Sequence, residues 1–165
     1  MQKPYIIAFV GSHNSGKTTI LSNIIPLLKA KGIRVGVVKT THHPDIAIDQ
    51  PGKDSYKLKE AGAEAVVLSS PNKLAFIQYT DDAPWELCLP QMRHLDCILI
   101  EGGKTSNYPK IEVFRQSLGL QPLYCGLTSA IAICTDLSLD TKLPQFRLDD
   151  FSGISDFLTQ ELGRC

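Results

Sequence analysis

Residues 11–19 read GSHNSGKTT, a complete G-x-x-x-x-G-K-[ST] phosphate-binding loop, or P-loop. The loop follows the apolar run Tyr5–Val10 and precedes a helical pattern that begins near Thr18. A strand that delivers such a loop to the start of a helix creates an anion site, because backbone N–H groups and the helix dipole both favour phosphate. The order strand, loop, helix therefore predicts nucleotide-phosphate binding rather than a chance match to the motif.

The residue types within the loop predict distinct roles. Gly11 and Gly16 allow backbone conformations and close approaches that a Cβ atom would block. Lys17 is expected to reach the β- and γ-phosphates, and the Thr18 hydroxyl is a candidate Mg²⁺ ligand. The other side chains that we expect to contact the nucleotide are His13, Asn14, Ser15 and Thr19.

Short apolar runs alternate with helical patterns along the chain, which predicts a P-loop NTPase-like α/β fold with a mostly parallel, doubly wound sheet. Most of the runs are continuously apolar, as is typical of strands buried on both faces. The predicted strands are Tyr5–Val10, Arg34–Lys39, Ala65–Ser69, Leu74–Tyr79, Cys97–Ile100, Ile111–Phe114, Ala130–Cys134 and Gln145–Leu148. The predicted helices are Lys17–Ala30, Lys53–Ala61, Pro84–Arg93 and Ser152–Leu162.

Prolines refine this pattern at two places. Pro71 and Asn72 separate two strands by a short turn, which predicts one antiparallel hairpin. Pro26 lies inside the first helix and lacks an N–H group, so it predicts a kink or a break there.

Length and composition indicate one nucleotide-binding domain over residues 1–165. The formal net charge of +0 does not favour nucleic acid or a membrane surface as a partner. No apolar run approaches the ~18 residues of a membrane-spanning helix. The first strand begins too early to leave room for a signal peptide, so we expect a cytoplasmic protein with reduced cysteines.

A second acidic group is expected to complete the magnesium site, at the carboxyl end of a strand near the P-loop. Residues 95–104 read LDCILIEGGK, and Glu101 ends the apolar strand of this segment. Gly102 and Gly103 would let the backbone pass close to the γ-phosphate. Asp96 lies at the opposite end of the same strand, more than ~10 Å away, so we assign it a structural or capping role.

The segment after the second strand holds further polar candidates. Lys39 is expected either to pair with phosphate or an anionic substrate, or to lie along the strand end with its ammonium group in water. Asp49 and Asp54 are candidates for supporting Mg²⁺ or a water network. Arg115, at the end of another strand, suits an anionic partner or a surface ion pair equally well.

The histidine pair His42-His43 and the five cysteines give little indication of a metal centre. Adjacent residues on an extended chain point to opposite sides, so His42 and His43 rarely chelate one ion. Cys125 is a conceivable further ligand, but no spaced ligand set accompanies it. Cys97 and Cys134 lie in apolar runs and are expected to pack as small hydrophobic residues.

Recognition of the base is the least determined part of the site. The Asn-Lys-x-Asp signature of many GTPases is absent. Asp136 follows an apolar strand and either accepts hydrogen bonds from the guanine N1–H and 2-amino groups or starts a turn.

Six segments together resemble the molybdopterin-guanine dinucleotide biosynthesis adapter family, MobB. They are GSHNSGKTT, VVKTTHH, DQPGKDSYKLKEAGAEAVVLSS, DCILIEGGK, YPKIEVFR and AIAICTD, and they span about residues 5–136. The P-loop alone is not specific to this family, whereas the order and spacing of the other segments are. At residue 103 the family pattern leads us to expect a bulky apolar residue such as Phe, where this chain has Gly.

The resemblance implies a P-loop GTP-binding adapter that is often a homodimer and has weak GTPase activity. Its implied partner is the molybdenum cofactor guanylyltransferase, which joins GMP to molybdopterin; molybdopterin itself is a further candidate ligand. Gly11–Thr19 would bind the GTP phosphates, Thr18 and Glu101 would serve Mg²⁺, and Asp49 or Asp54 would be additional metal candidates. His42, His43 and the loop Lys104–Lys110 match segments that meet ligand or partner.

Three alternatives stay open from the sequence. One is an ATP-dependent small-molecule kinase or ligase of dethiobiotin synthetase-like fold, in which the strand-end Glu101 also supports Mg²⁺. Another is a metallochaperone GTPase that uses His42, His43 or Cys125. The last is a binding module without hydrolysis. No glutamine that would position the attacking water is evident, and no arginine finger is identifiable, although Arg115 is conceivable. Low turnover without a partner is therefore expected.

Overall fold

The computed structural model describes residues 3–41, 46, 48–79 and 84–164. These residues form two compact units, one of Met1–Thr40 with Cys88–Cys165 and the other of Thr41–Leu87. We call them the sheet unit and the hairpin unit. The expectation of a single nucleotide-binding domain over residues 1–165 stays a prediction.

The sheet unit is built on six strands, β1 (Tyr5–Val10), β2 (Val35–Lys39), β5 (Cys97–Glu101), β6 (Lys110–Phe114), β7 (Ala130–Thr135) and β8 (Gln145–Arg147). All six are parallel, and their order in the sheet is β2-β5-β1-β6-β7-β8. The chain starts at the centre of the sheet and extends it to both sides, which confirms the predicted α/β class and parallel sheet. All carboxyl ends of the strands lie at one edge, so β1, β5, β6 and β7 bring their following loops together there.

Burial explains why these strands read as continuous apolar runs. Residues on both faces of β1 and β5 are inaccessible to solvent, including Ile7, Ala8, Ile98 and Leu99. Two helices, α1 (Lys17–Ala30) and α3 (Phe151–Leu162), contact each other and supply core side chains against the β1 face that carries Ile7. The core therefore holds β1 rigidly at the point from which the P-loop leaves it.

The helices differ from the sequence prediction at Pro26 of α1 and at the start of α3. Helix α1 runs through Pro26 without the break that was one of the two predicted outcomes. The helix ends in a Schellman motif at Gly32, where the Ile33 N–H donates to the Leu28 carbonyl oxygen. Helix α3 begins at Phe151, one residue before the predicted start at Ser152, and is capped by Asp150, whose side chain accepts from the Gly153 N–H.

The predicted helix Pro84–Arg93 is a 3₁₀ helix over Trp85–Met92. Pro90 lies inside it and lacks the N–H that a continuing α-helix needs, which is consistent with the tighter form. Two further short 3₁₀ turns, Gln116–Leu118 and Tyr124–Gly126, follow β6.

The hairpin unit contains α2 (Asp54–Glu60) and the antiparallel strands β3 (Ala65–Ser70) and β4 (Lys73–Gln78). The turn at Pro71 and Asn72 joins the two strands, as predicted. Four large apolar side chains of this hairpin are at least 47% exposed, namely Val67, Leu68, Leu74 and Phe76. Within the described residues, no helix combines the length and apolar character needed to span a membrane.

Candidate functional site

The P-loop begins with a glycine that no other residue could replace without rearrangement. Gly11 has a φ of +153°, and a Cβ atom built on it would lie 2.2 Å from the backbone carbonyl oxygen of Val113 on β6. The loop therefore leaves β1 in contact with the neighbouring strand, which fixes its position at the sheet edge. Gly16 then caps α1 in a left-handed conformation, and the helix begins at Lys17.

Lys17 is folded into the loop. Its Nζ donates hydrogen bonds to the carbonyl oxygens of Gly11 at 3.0 Å and Ser12 at 2.7 Å. Burial lowers the pKa of Lys17, and the nearby Glu101 carboxylate opposes that shift. The ammonium group is thus held in the concave side of the loop by backbone oxygens, where a phosphate would meet it.

Three predicted residues meet at the mouth of the loop. The Thr18 hydroxyl donates to Glu101 Oε1 at 2.6 Å, and Lys39 Nζ lies 3.2 Å from the same oxygen. The strand register explains this meeting, because Lys39 on β2 is directly paired with Glu101 on β5. Thr18 and Glu101 offer the hard oxygen ligands that Mg²⁺ prefers, and the contact with Lys39 shows that the carboxylate already faces a cation.

The turn after Glu101 is braced by β1 and by the end of β2. Gly102 N–H donates to the Phe9 carbonyl, and Gly103 N–H donates to Thr40 Oγ1 at 3.2 Å. Gly103 has a φ of +69°, and an added Cβ would come within 3.1 Å of Ile100. Glycine therefore suits this backbone better than the Phe that the family pattern led us to expect.

The other predicted loop side chains divide between exposed and buried positions. His13, Asn14 and Thr19 are exposed to solvent, where they are accessible to a ligand. Ser15 is 1% exposed, and its Oγ has no hydrogen-bond partner among the described residues. A buried hydroxyl of this kind beside Gly11 is a polar group that a phosphate-bearing ligand or a water molecule would satisfy.

Asp136 and Arg115 lie on the opposite side of the P-loop from Glu101. Asp136, directly after β7, accepts a hydrogen bond from the Gln116 N–H at 2.9 Å and is exposed. Arg115, directly after β6, has an Nη atom 3.4 Å from the position that a Cβ on Gly16 would take. The turn role of Asp136 is therefore present, and its carboxylate retains acceptor capacity for a ligand.

Comparison with known proteins identifies the family. The sequence matches the family model for molybdopterin guanine dinucleotide synthesis protein B, MobB, over residues 6–136. This chain belongs to the MobB family. The resemblance read from the six sequence segments is thereby confirmed.

Individual relatives of the MobB family align with nearly the whole chain. The molybdopterin-guanine dinucleotide biosynthesis adapter protein of Escherichia coli (strain K12) is 36% identical over 94% of this chain and 91% of its own length. The adapter protein of the same description from Haemophilus influenzae is 32% identical over 93% of this chain and 86% of its own. The crystal structure of Bacillus subtilis MobB superimposes with a TM-score of 0.75 at 28% identity, covering 94% and 97% of the two chains.

Two predicted metal candidates lie in the hairpin unit of this MobB-family chain. Both carboxylate oxygens of Asp49 accept hydrogen bonds, Oδ1 from Ser55 at 2.8 Å and Oδ2 from the Tyr79 hydroxyl at 3.1 Å. Asp54 pairs with Lys57 at 3.0 Å on the exposed start of α2. These contacts give Asp49 a local structural role in its loop, whereas Thr18 and Glu101 lie at the P-loop itself. Among the described residues, no three His, Cys, Asp or Glu side chains cluster as a metal site.

The structural roles predicted for Asp96 and two cysteines are confirmed. Asp96 accepts three hydrogen bonds from the backbone and guanidinium of Arg34, which lower the pKa of Asp96 to about 2. Cys97 and Cys134 are fully buried, and burial raises the pKa of each thiol to about 12. The predicted roles of His42 and His43 concern residues outside the part of the chain that the structure describes.

Two charged residues in β6 have buried roles that the sequence interpretation did not assign. Lys110 was placed in the loop Lys104–Lys110, which was expected to meet ligand or partner, but its side chain is not accessible to either. Lys110 is fully buried, and its Nζ donates to the carbonyl oxygens of Ser106, Tyr108 and Thr128. Glu112 is 1% exposed and accepts from the N–H groups of Leu123 and Tyr124. The segment KIEVF could have indicated these buried charges, because its Lys and Glu interrupt an otherwise apolar strand, which lies beside β1 in the centre of the sheet.

Proposed function

We propose that this chain is a GTP-binding adapter with weak GTPase activity that assists guanylyl transfer to molybdopterin in the biosynthesis of molybdopterin guanine dinucleotide. One observation carries the proposal: in a member of the MobB family, the P-loop threonine Thr18 lies 2.6 Å from Glu101 at the end of the adjacent strand. In P-loop proteins, a hydroxyl of the loop and a carboxylate at the end of a neighbouring strand hold the Mg²⁺ that accompanies a nucleoside triphosphate.

The proposed roles follow from the charges at the loop. Lys17 and the α1 N-terminus hold the β- and γ-phosphates, with Ser15, Gly16 and Thr19 lining the phosphates' path. Thr18 and Glu101 hold Mg²⁺, which when bound neutralises charge that develops on the phosphates. Lys39 lies close enough to Glu101 to turn toward the γ-phosphate, since its side chain is 64% exposed.

Slow hydrolysis follows from the same arrangement. Water would attack the γ-phosphorus in line, and the bond to the β-γ bridging oxygen would break, releasing phosphate and GDP. Positioned charges stabilise that transition state, but a residue that orients the water supplies much of the rate in fast GTPases. The sequence of this chain offers no evident glutamine for that role. We therefore assign this chain a low turnover that a partner can raise.

The guanine preference is assigned to Asp136. Its carboxylate lies at the carboxyl end of β7 and can accept from N1–H and the 2-amino group of guanine, a pattern that adenine does not present. The test is isothermal titration calorimetry of GTP and ATP, with Mg²⁺ and then with EDTA, on the wild type and Asp136→Asn. We expect at least tenfold tighter GTP binding, about 1.4 kcal/mol, and loss of that margin in Asp136→Asn.

Equal binding of GTP and ATP, or an ATP preference, would contradict the proposal and favour an ATP-dependent kinase or ligase. Glu101→Ala tests the metal in the same experiment. We expect it to bind GTP in EDTA as the wild type does, but to lose most of the gain that Mg²⁺ provides. An Mg²⁺ titration identical to that of the wild type would remove Glu101 from the metal site.

We also propose that the chain acts in the cytoplasm as a homodimer and binds the molybdenum cofactor guanylyltransferase. The second copy would cover the exposed apolar residues of the β3–β4 hairpin, since a monomer seldom leaves large apolar side chains together in water. Co-purification of the guanylyltransferase with the wild type and with Lys17→Ala tests the partner. Absence of complex with the wild type at micromolar concentrations in the presence of GTP would contradict it.

A further inference from the structure

The connection from β5 to β6, Gly102–Pro109, has to cross β1, because β1 lies between these two strands in the sheet. Crossovers between parallel strands usually run a dozen or more residues and carry a helix that packs on the sheet. Here β6 follows β5 directly in the order of elements, so the crossover is short and irregular. Its backbone polar groups therefore need partners that a helix would have supplied internally.

Lys110, the first residue of β6, provides a partner for that backbone. Ile111 packs in the core with residues of α1 and α3, and side chains alternate along a strand, so Lys110 projects from the opposite face of the sheet. The side chain of Lys110 is inaccessible to solvent. Its Nζ donates to three backbone carbonyl oxygens, those of Ser106, Tyr108 and Thr128. An ammonium group has three N–H donors, so all of them are used, and the buried charge binds the crossover to β6.

The crossover in turn holds the turn that follows Glu101. Ser106, whose carbonyl oxygen accepts from the Lys110 ammonium, donates its own N–H to the Gly103 carbonyl oxygen at 3.0 Å. On the other side of the turn, the Gly103 N–H donates to Thr40 Oγ1 at 3.2 Å. The turn consists of two glycines with positive φ and has no side chains of its own, so these backbone bonds determine its position. A continuous path of hydrogen bonds therefore leads from the buried ammonium to the end of β5.

We propose that Lys110 is a positioning residue for the Glu101 carboxylate. By fixing the crossover, the Lys110 ammonium keeps the end of β5 where Glu101 Oε1 meets the Thr18 hydroxyl at 2.6 Å. Lys110 touches neither nucleotide nor metal in this role, because its side chain is enclosed by protein. The inference rests on the proposed function, since it requires that Thr18 and Glu101 hold Mg²⁺ when GTP is bound.

Isothermal titration calorimetry of GTP, first in EDTA and then with Mg²⁺, separates this role from a purely structural one. The variants are Lys110→Met, which keeps the length of the side chain without its charge, and Lys110→Gln, whose amide restores two of the three N–H donors. Lys29→Met is the control, because Lys29 is exposed on the last turn of α1, about 18 Å along the helix from Lys17. Circular dichroism establishes that each variant is folded.

We expect Lys110→Met to lose most of the gain in GTP affinity that Mg²⁺ provides, since loss of a residue that orients a metal ligand typically costs about 10–100-fold in metal affinity. Its GTP affinity in EDTA should stay within about twofold of the wild type, because the P-loop itself is unchanged. Lys110→Gln should recover part of the Mg²⁺ gain, and Lys29→Met should keep all of it.

A wild-type Mg²⁺ gain in Lys110→Met, or an equal loss of affinity in EDTA and in Mg²⁺, would overturn the positioning role and leave the P-loop function standing. Failure of both Lys110 variants to fold would do the same, because it would assign Lys110 to stability alone. A wild type that binds no GTP, or that gains nothing from Mg²⁺, would overturn the proposed function as well.

Discussion

Apolar residues at the centre of the six-stranded sheet are fully buried, whereas most of those in the β3–β4 hairpin are exposed. Ile7 and Leu99 are 0% exposed, whereas Val67 is 55% and Phe76 57% exposed, although all four belong to short apolar runs. In the sheet unit, burial on both faces fixes the P-loop at a rigid edge. In the hairpin unit, the same kind of sequence forms a surface. An apolar run thus indicates a strand, but what covers that strand depends on residues far away in sequence or on another chain.

The largest expected difference between the two units concerns glycines with positive φ. Gly11→Ala places a Cβ 2.2 Å from the Val113 carbonyl oxygen, in addition to the cost of its φ. We expect a loss of more than about 3 kcal/mol in the free energy of unfolding, from strain plus overpacking. Urea unfolding followed by circular dichroism measures it.

The matched control is Gly62→Ala in the hairpin unit. Gly62 has a φ of +101°, but a Cβ there would meet no atom within 4 Å. Backbone strain alone should cost about 1–2 kcal/mol. Equal losses for the two variants would show that contact with β6 does not fix the start of the P-loop.

Lys17→Ala should separate binding from folding within the sheet unit. The Lys17 ammonium bonds to two loop carbonyl oxygens, so its removal leaves those acceptors partly exposed to water and the fold intact. A charged hydrogen-bond partner of a phosphate is worth about 1.5–3 kcal/mol, so we expect GTP affinity to fall at least tenfold. Calorimetry of a variant with an unchanged unfolding curve provides the measurement, and wild-type affinity in that variant would refute the P-loop assignment.

Phe76→Ser should affect assembly and leave nucleotide binding unchanged. Phe76 faces Val67 across the hairpin, and burial of such a side chain by a second copy contributes about 1.5–3 kcal/mol. We expect the dimer dissociation constant to rise at least tenfold in sedimentation-velocity experiments. Leu58→Ser on α2, which is 54% exposed, is the control and should leave that constant unchanged. A wild type that is monomeric at high micromolar concentration would exclude the hairpin as a dimer surface.

The strands and the phosphate end of the site were predictable because local sequence determines them. The first strand and the first helix have the bounds that their apolar patterns predicted, since both are bounded by the P-loop motif. The meeting of Lys39 with Glu101 required the strand order, which places β2 beside β5. The buried role of Glu112 was not predictable, because its partners are eleven and twelve residues away in an irregular loop.

Glu112→Gln should give an effect on stability that depends on pH and is the smallest of the series near neutral pH. The carboxyl group of Glu112 presents one oxygen to each of two N–H groups, whereas glutamine presents one oxygen and one NH2 donor in their place. We therefore expect a loss of about 1–3 kcal/mol at low pH, in the sheet unit alone. The exposed Glu64 supplies the control, because Glu64→Gln in the hairpin unit changes no buried contact.

The sign of the pH dependence follows from burial, which raises the pKa of Glu112 above its ordinary value of 4.5. Between the unfolded and folded pKa values the native state holds more protons than the unfolded state, so this group's contribution to stability falls as pH rises through that window. Glu112→Gln lacks the titrating group. The difference in unfolding free energy between the wild type and the variant should therefore be largest near pH 4 and shrink toward neutral pH in urea titrations. A difference that instead grows with pH would mean that the two N–H bonds outweigh burial and that Glu112 stabilises the loop at Leu123 and Tyr124 mainly as an ionised group.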